Sequence, residues 1–282
     1  MLHTIFLVPM KSLVKTSLLI STYNWPMALN ACLHSVVRQQ QLPNEVVICD
    51  DGSREETASL IKKWQKNFPV PLHHVWHPDD GFRLSAIRNK GIAKCSGDYI
   101  IQIDGDIVLH PYFVNDHNKF ARHGFFVCGN RYDLTDTDSQ LILQTPETIP
   151  SLFSVSKQAL RKMHLPLLHQ TAASLFDKKY PYLYVAGCNM AFWKKDLFAV
   201  NGYDESFVGW GFEDSDIFIR LTNQNIKHRF LRFGGIQYHL HHKENDRSHK
   251  EENIRLLQEA VATKRKYATL GLSQYHAPGK VA

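Results

Sequence analysis

The chain has 282 residues, 44% of them hydrophobic and 21% charged, with a formal net charge of +6 and a pI near 9.0. That balance describes a soluble globular protein with one large core or two closely joined lobes, and it excludes a low-complexity chain. No run of ~18 or more apolar residues occurs, so no membrane-spanning helix is predicted.

The basic balance suits an anionic ligand such as a nucleotide, an acidic glycan or an anionic membrane surface, or else a merely solvated surface. Cys32, Cys49, Cys95, Cys128 and Cys188 are odd in number and widely spaced, with no Cys-x-x-Cys pair. They read as buried thiols of a reducing compartment, which argues against a zinc ribbon or a dithiol redox site. The apolar opening Met1–Met10 has no basic leader and is too short for a signal core.

In chain order, 17–22 reads as a buried strand, and Pro26 opens a helix carrying Ala31, Leu33, Val36 and Val37. Residues 45–50 form a second strand, after which Ser53 and Glu56 make a capping box for a helix through Leu60, Ile61 and Trp64. A third strand follows near 72–76, a helix at 84–94, and a fourth strand that runs into Ile103-Asp104-Gly105-Asp106. From 135 to 180 the pattern loosens, with a helical stretch near 154–163, and reads as an insertion or lid, or as a plain surface excursion. Order returns at 184–192. A helix starts at Glu213 with Ile217, Phe218 and Leu221 facing inward, and a charged helix at 249–267 turns Ile254, Leu257 and Val261 toward the body.

Strand and helix in alternation predict an α/β protein with right-handed crossovers and a mainly parallel sheet, whose ligands gather beyond the carboxyl ends of the strands. Asp50, Asp51, Asp104 and Asp106 all fall at such ends. If the chain stays extended, Asp104 and Asp106 point the same way, and Gly105 lets the backbone approach a ligand. Their hard oxygens suit Mg²⁺ or Mn²⁺ shared with substrate phosphates. In His239-Leu240-His241-His242, an extended strand aligns His239 with His241. Gly209-Trp210-Gly211 presents an aromatic between glycines, suited to stacking on a sugar ring.

Five segments occur in order: Thr22-Tyr23-Asn24, Cys49-Asp50-Asp51-Gly52-Ser53, Ala86-Ile87-Arg88-Asn89-Lys90-Gly91, Gly97-Asp98-Tyr99 with Asp104-Gly105-Asp106, and Gly209-Trp210-Gly211-Phe212-Glu213-Asp214. Together they resemble family-2-type inverting glycosyltransferases of GT-A fold. The last resembles the carboxyl half of β-1,4-galactosyltransferases and of bacterial chondroitin polymerases. The resemblance spans about Ser17 to Asn245.

It implies a nucleoside diphosphate sugar donor, a UDP-sugar foremost, and a saccharide or lipid-linked saccharide acceptor. Asp50 or Asp51 would meet a uracil NH or a ribose hydroxyl, with Thr22 lining that pocket. Arg88 would reach a phosphate or hold the pocket carboxylates, or do both. By the same resemblance Asp106 is the direct metal ligand, Asp104 contacts ribose or metal-bound water, and His242 and then His239 complete the metal site. Nitrogen ligands favour Mn²⁺ over Mg²⁺. Asp214 becomes the base and Glu213 binds acceptor or donor sugar. Phe212 stands where the galactosyltransferases have glycine, so galactose specificity does not carry over.

The expected organisation is one glycosyltransferase domain over 1–282. Within it, 1–134 bind the nucleotide sugar, 135–180 form the insertion or lid, 181–248 the acceptor and catalytic half, and 249–282 a C-terminal helix and tail. The chain shows no anchor or stem of the Golgi enzymes, which points to a bacterial cytoplasmic enzyme of surface glycan synthesis. Lys264-Arg265-Lys266 offers a peripheral contact at the inner membrane face. A metal-dependent nucleotidyltransferase is the competing enzyme, but Thr22-Tyr23-Asn24-Trp25-Pro26 lacks its Gly-rich phosphate loop. An inactive glycan- or nucleotide-binding module is the non-enzymatic alternative. Nucleic acid is not an expected partner, because the basic residues do not cluster with aromatics.

Overall fold

Apolar runs that are buried on both faces make the centre of the molecule. Leu18 and Ile20 of β1 (Thr16–Thr22) and Val46 and Ile48 of β2 (Glu45–Asp50) face one core, while Leu19, Val47 and Cys49 face the other. The period of two along each strand sends successive side chains to opposite faces, so such strands need helices on both sides. α1 (Pro26–Val37) and α2 (Glu55–Gln65) supply Leu29, Leu33 and Ile61 to the first core; α3 (Leu84–Lys94) supplies Ile87 and Ile92 to the second. The computed structural model describes residues 14–148, 164–169, 171, 182, 185–243 and 246–275.

β3 (Leu72–Trp76) and β4 (Tyr99–Asp104) complete a parallel block in the order β3-β2-β1-β4. The chain continues through β5 (Ile107–Leu109), α4 (Phe113–Phe120), β6 (Phe125–Cys128), β7 (Tyr132–Asp133) and α5 (Asp136–Gln144). Then come β8 (Met190–Trp193), α6 (Lys194–Ala199), α7 (Glu213–Asn223), β9 (Lys227–Phe230), β10 (Gln237–His239) and α8 (Lys250–Ala262). β8 joins the block antiparallel to β4, followed by β6 and then β9, to give a seven-stranded sheet that is mostly parallel. A second sheet of three strands runs β5-β10-β7. The α/β sheet flanked by helices is the one expected.

Register decides what the sheet edge carries. Thr22 lies opposite Asp50, and Ser21 opposite Asp104, so the carboxyl ends of β1, β2 and β4 finish together. In the small sheet, β10 places His239 beside Ile107 on one side and Asp133 on the other. Ile217, Phe218 and Leu221 of α7 are buried as expected.

Several local expectations are corrected. Ser53 does not cap α2: the helix begins after Arg54 without a side-chain cap, and the Ser53 hydroxyl accepts from the Asn24 N–H instead. Val37 is exposed at the end of α1, and Val261 is exposed on α8, where Asn253, Leu257 and Ala260 are the buried positions. α8 ends at Ala262, short of Tyr267. The segment before β8 forms a short 3₁₀ turn, Gly187–Asn189, so the strand starts only at Met190. The helix expected near 154–163 lies outside the described residues. All five cysteines are free and buried, and among the described residues no helix is long and apolar enough to cross a membrane.

Candidate active site

A cleft of about 540 Å³ opens beyond the carboxyl end of β4, lined among others by Asp104, Asp106, Gly187, Trp210, Glu213, Asp214, His239 and His242. Phe82, Leu84, Asp104 and Asp106 are shared with a smaller cavity of about 130 Å³ that also touches Thr22, Tyr23, Trp25 and Asp51. The two spaces are therefore contiguous.

The chain does not stay extended through Asp104-Gly105-Asp106. It turns at Gly105, whose N–H donates to the Ser21 carbonyl at 2.7 Å, and β5 starts only at Ile107. The two carboxylates consequently serve opposite corners of the cleft. Asp104 Oδ1 accepts from Arg88 Nη2 at 3.1 Å, whereas Asp106 Oδ2 lies 3.4 Å from His239 Nε2 and 3.3 Å from His242 Nε2.

At the first corner the backbone leaves β10 after His239, which brings His242 back beside it with the two Nε2 atoms 3.2 Å apart. His241 is exposed and also lines the cleft, but its imidazole is not part of the compact Asp106, His239 and His242 group; its backbone N–H donates to Ser139 Oγ. His239 Nδ1 is 3.2 Å from Asp133 Oδ1. Burial alone would lower the His239 pKa, but hydrogen bonds to Asp106 and Asp133 raise it to about 9. The Asp106 bond is likewise what raises His242. For Asp106, burial pushes upward, yet the two imidazoles hold its carboxyl well below the usual carboxylate range. Its second oxygen, Oδ1, is buried without a hydrogen-bond partner. A buried oxygen with an unused lone pair, beside two imidazole nitrogens converging on the same carboxylate, fits a divalent cation. Asp106, His239 and His242 form one of the compact ligand groups of the molecule.

The second corner is built on Arg88, which is 1% exposed. Its Nε donates to Ser21 Oγ at 3.3 Å, Nη1 to Glu213 at 3.2 Å and Asp214 at 3.0 Å, and Nη2 to Asp104. Of its two expected roles, the geometry displays that of holding the pocket carboxylates, with every guanidinium nitrogen bonded to a protein oxygen and one N–H of Nη2 left over. One cation faces three carboxyl groups. Burial first, and the neighbouring Asp214 second, push Glu213 up to about 8. Burial also raises Asp104.

Asp214 is positioned by neighbours absent from the sequence reading. Tyr203 Oη reaches toward Asp214 Oδ1 at 3.5 Å and donates to Gln102 Oε1 at 2.9 Å, and Gln102 Nε2 donates to the Gly187 carbonyl at 2.8 Å. The Arg88 guanidinium lies 5.2 Å from the centroid of the Tyr203 ring. A Cβ on Gly187 would collide with the Asp214 carboxylate, so only glycine lets the backbone pass so close. Gln102, Tyr203 and Gly187 carry no local signal; strand pairing and core packing bring them there.

The remaining expected residues divide. Thr22 and Asp51 line the smaller cavity, with Asp51 bound by His77 Nε2 at 2.6 Å and by the Arg83 N–H at 2.9 Å. Asp50 is fully buried, its oxygens occupied by the Ser53 N–H and His74, and it does not reach either cavity wall. Trp210 is 36% exposed on the cleft, with the Arg247 guanidinium 4.7 Å from its ring centroid. Gly209 and Gly211 flank it in left-handed conformations, and Phe212 shares that conformation at φ 74. The buried Asn253 of α8 donates to the Val208 and Gly211 carbonyls, so the C-terminal helix pins this loop.

Comparison with known proteins gives the same grouping. The profile described as glycosyl transferase family 2 matches residues 17–181, and one described as N-terminal domain of galactosyltransferase matches 169–243. The chain is 27% identical to the chondroitin synthase of Escherichia coli over 87% of its own length and 38% of that protein. It spans only about a quarter to two-fifths of the length of the chondroitin and hyaluronan synthases that it matches. Its fold is similar to S. aureus TarS 1–349, solved in complex with UDP (TM-score 0.60, 15% identity, 93% of this chain and 68% of the other). It is also similar to the mannosyltransferase PcManGT from Pyrobaculum calidifontis, solved in complex with GDP-Man and Mn²⁺ (TM-score 0.58, 16% identity, 89% and 63%). With the family profile covering more than half of its residues and this architecture, the chain belongs to glycosyl transferase family 2 and adopts a GT-A fold.

Proposed function

We propose that this chain is a metal-dependent inverting glycosyltransferase that moves a sugar from a nucleoside diphosphate sugar, a UDP-sugar, to a saccharide or lipid-linked saccharide in bacterial surface glycan synthesis. The observation that carries this reading is the meeting, in one cleft, of the Asp106, His239 and His242 group with the Asp214, Glu213 and Arg88 group. The bound UDP and the GDP-Man with Mn²⁺ of the two structural neighbours support the donor class and the metal.

Thr22 and Asp51 would receive the nucleoside in the smaller cavity, and residues 1–134 would form the donor half. Mn²⁺ or Mg²⁺ held by Asp106, His242 and His239 would supply positive charge against the negative charge growing on the departing diphosphate. Trp210 offers its face to the acceptor or transferred sugar from the 181–248 half. Asp214 accepts the proton of the acceptor hydroxyl as that oxygen bonds to the anomeric carbon, and the nucleoside diphosphate leaves from the opposite face, which inverts the centre. Arg88 fixes the angle of Asp214 and Asp104, and burial, which favours the neutral form of Glu213, lessens the negative charge beside the base.

A screen of nucleotide sugars for Mn²⁺-dependent release of nucleoside diphosphate tests the reading. One UDP-sugar should be turned over, and Asp106→Ala should abolish the metal dependence together with turnover. Metal-independent turnover at the wild-type rate in that variant overturns the metal assignment. A peripheral position at the inner face of the membrane belongs to the same reading, carried by Lys264 and Lys266, since Arg265 is already paired with Asp204 at 2.9 Å. Absence of pelleting with anionic liposomes at low salt rejects it.

A further inference from the structure

A second group of metal-ligating side chains lies apart from the cleft. Asp116 on α4 meets His164 and His169, which flank the short 3₁₀ turn Pro166–Leu168. None of the three lines the cleft or its neighbouring cavity. We propose that Asp116, His164 and His169 form a second transition-metal site apart from the cleft, with zinc as the cation.

His164 Nε2 lies 3.0 Å from both oxygens of Asp116, and one ligand atom from each of the three residues falls within 4.8 Å of the other two. Zinc bonds of about 2.0–2.2 Å in a tetrahedron put neighbouring ligand atoms a little over ~3 Å apart, so a small inward shift of one imidazole closes the site. Two nitrogens and one carboxylate oxygen with a water in the fourth position is a donor set for zinc rather than for magnesium or calcium.

The surroundings orient all three groups. Asp116 Oδ2 accepts from the Gly235 N–H at 3.0 Å. His169 Nε2 donates to the Phe233 carbonyl at 2.9 Å, the backbone anchor that sets the tautomer of an imidazole and leaves its other nitrogen with a lone pair. The Tyr112 ring stacks on His164, with centroids 4.8 Å apart and planes 14° from parallel. Asp116 and His169 are buried while His164 keeps 20% of its side chain exposed, which leaves a way in from solvent.

A cation here would cross-link α4 to the segment 164–169, and the hydrogen bonds of Asp116 and His169 tie both to the turn 233–235. That turn leads directly into β10, which carries His239 at the cleft. The site would therefore brace the strand behind the candidate catalytic metal without touching substrate.

The test uses the full chain with Asp106→Ala and His242→Ala, which removes the cleft's metal group. After gel filtration from zinc-containing buffer, elemental analysis should find about one equivalent of zinc retained, competed by a chromophoric chelator, and zinc should raise the thermal midpoint. Adding His164→Ala should remove both the bound zinc and the stabilisation while the far-ultraviolet circular dichroism stays unchanged. His169→Gln repeats the measurement should His164→Ala fail to fold. No zinc retained by the parent double variant, or retention untouched by the histidine replacements, overturns the proposal.

Discussion

At the Asp106 corner of the cleft, a carboxylate and two imidazoles come together with a buried oxygen left over, whereas at the Asp214 corner all three nitrogens of one guanidinium are occupied by protein oxygens. The first arrangement has coordination capacity to spare and is held by β5, β10 and β7, short strands at the rim. The second has a protein oxygen at every guanidinium nitrogen and sits on α3, α7 and the main sheet. A corner that must take up and release a ligand keeps lone pairs free, and one that must hold a base at a fixed angle does not.

The comparison breaks most sharply at Asp214. Asp214→Asn should lower transfer by about 10²–10⁴-fold while leaving Mn²⁺-dependent donor binding intact, measured by turnover beside calorimetric titration with UDP. Loss of both together would mean that the corners are not separable. Gly187→Ala should push the Asp214 carboxylate from its place with no change to the metal corner; an ångström of displacement costs about 10²-fold in kcat. Equal kcat in that variant would show that Asp214 tolerates movement.

At the other corner, Asp133→Ala removes the partner of His239 Nδ1 and should weaken Mn²⁺ binding by about 10–100-fold, read by isothermal titration, without altering saturated kcat. The smallest effect separates the corners by pH. Glu213 releases its proton near 4.5 when unfolded and near 8 when folded. Its contribution to stability is therefore fully present below 4.5 and is lost as pH rises through about 8. Glu213→Gln should flatten the fall in stability across that window in denaturant unfolding; an unchanged slope would locate the proton elsewhere.

Much of this was legible along the chain. The alternation of apolar runs and amphipathic stretches fixed strand and helix order through β4, because buried strands cannot disguise their period. Asp106, His242, Glu213 and Asp214 stood out by residue type within recognisable segments. What stayed hidden depended on which distant strands pair. Asp133 is one acidic residue in an undistinguished stretch until β7 aligns with β10, and Tyr203, Gln102 and Gly187 show nothing of their relation to Asp214 in local sequence. Asp50 looked as accessible as Asp51, and only the packing of His74 against it revealed that its oxygens are spent.

The sequence by itself determined the class of fold, the family and the residue types of the cleft, since these follow from periodicity and from short motifs read within a few residues. Tertiary structure alone decided that Asp104 and Asp106 part company at Gly105, that Asp133 stands beside His239, and that Arg88 serves carboxylates. Each of these turns on a backbone change of direction or on contacts between segments far apart in the chain, which no local spacing encodes.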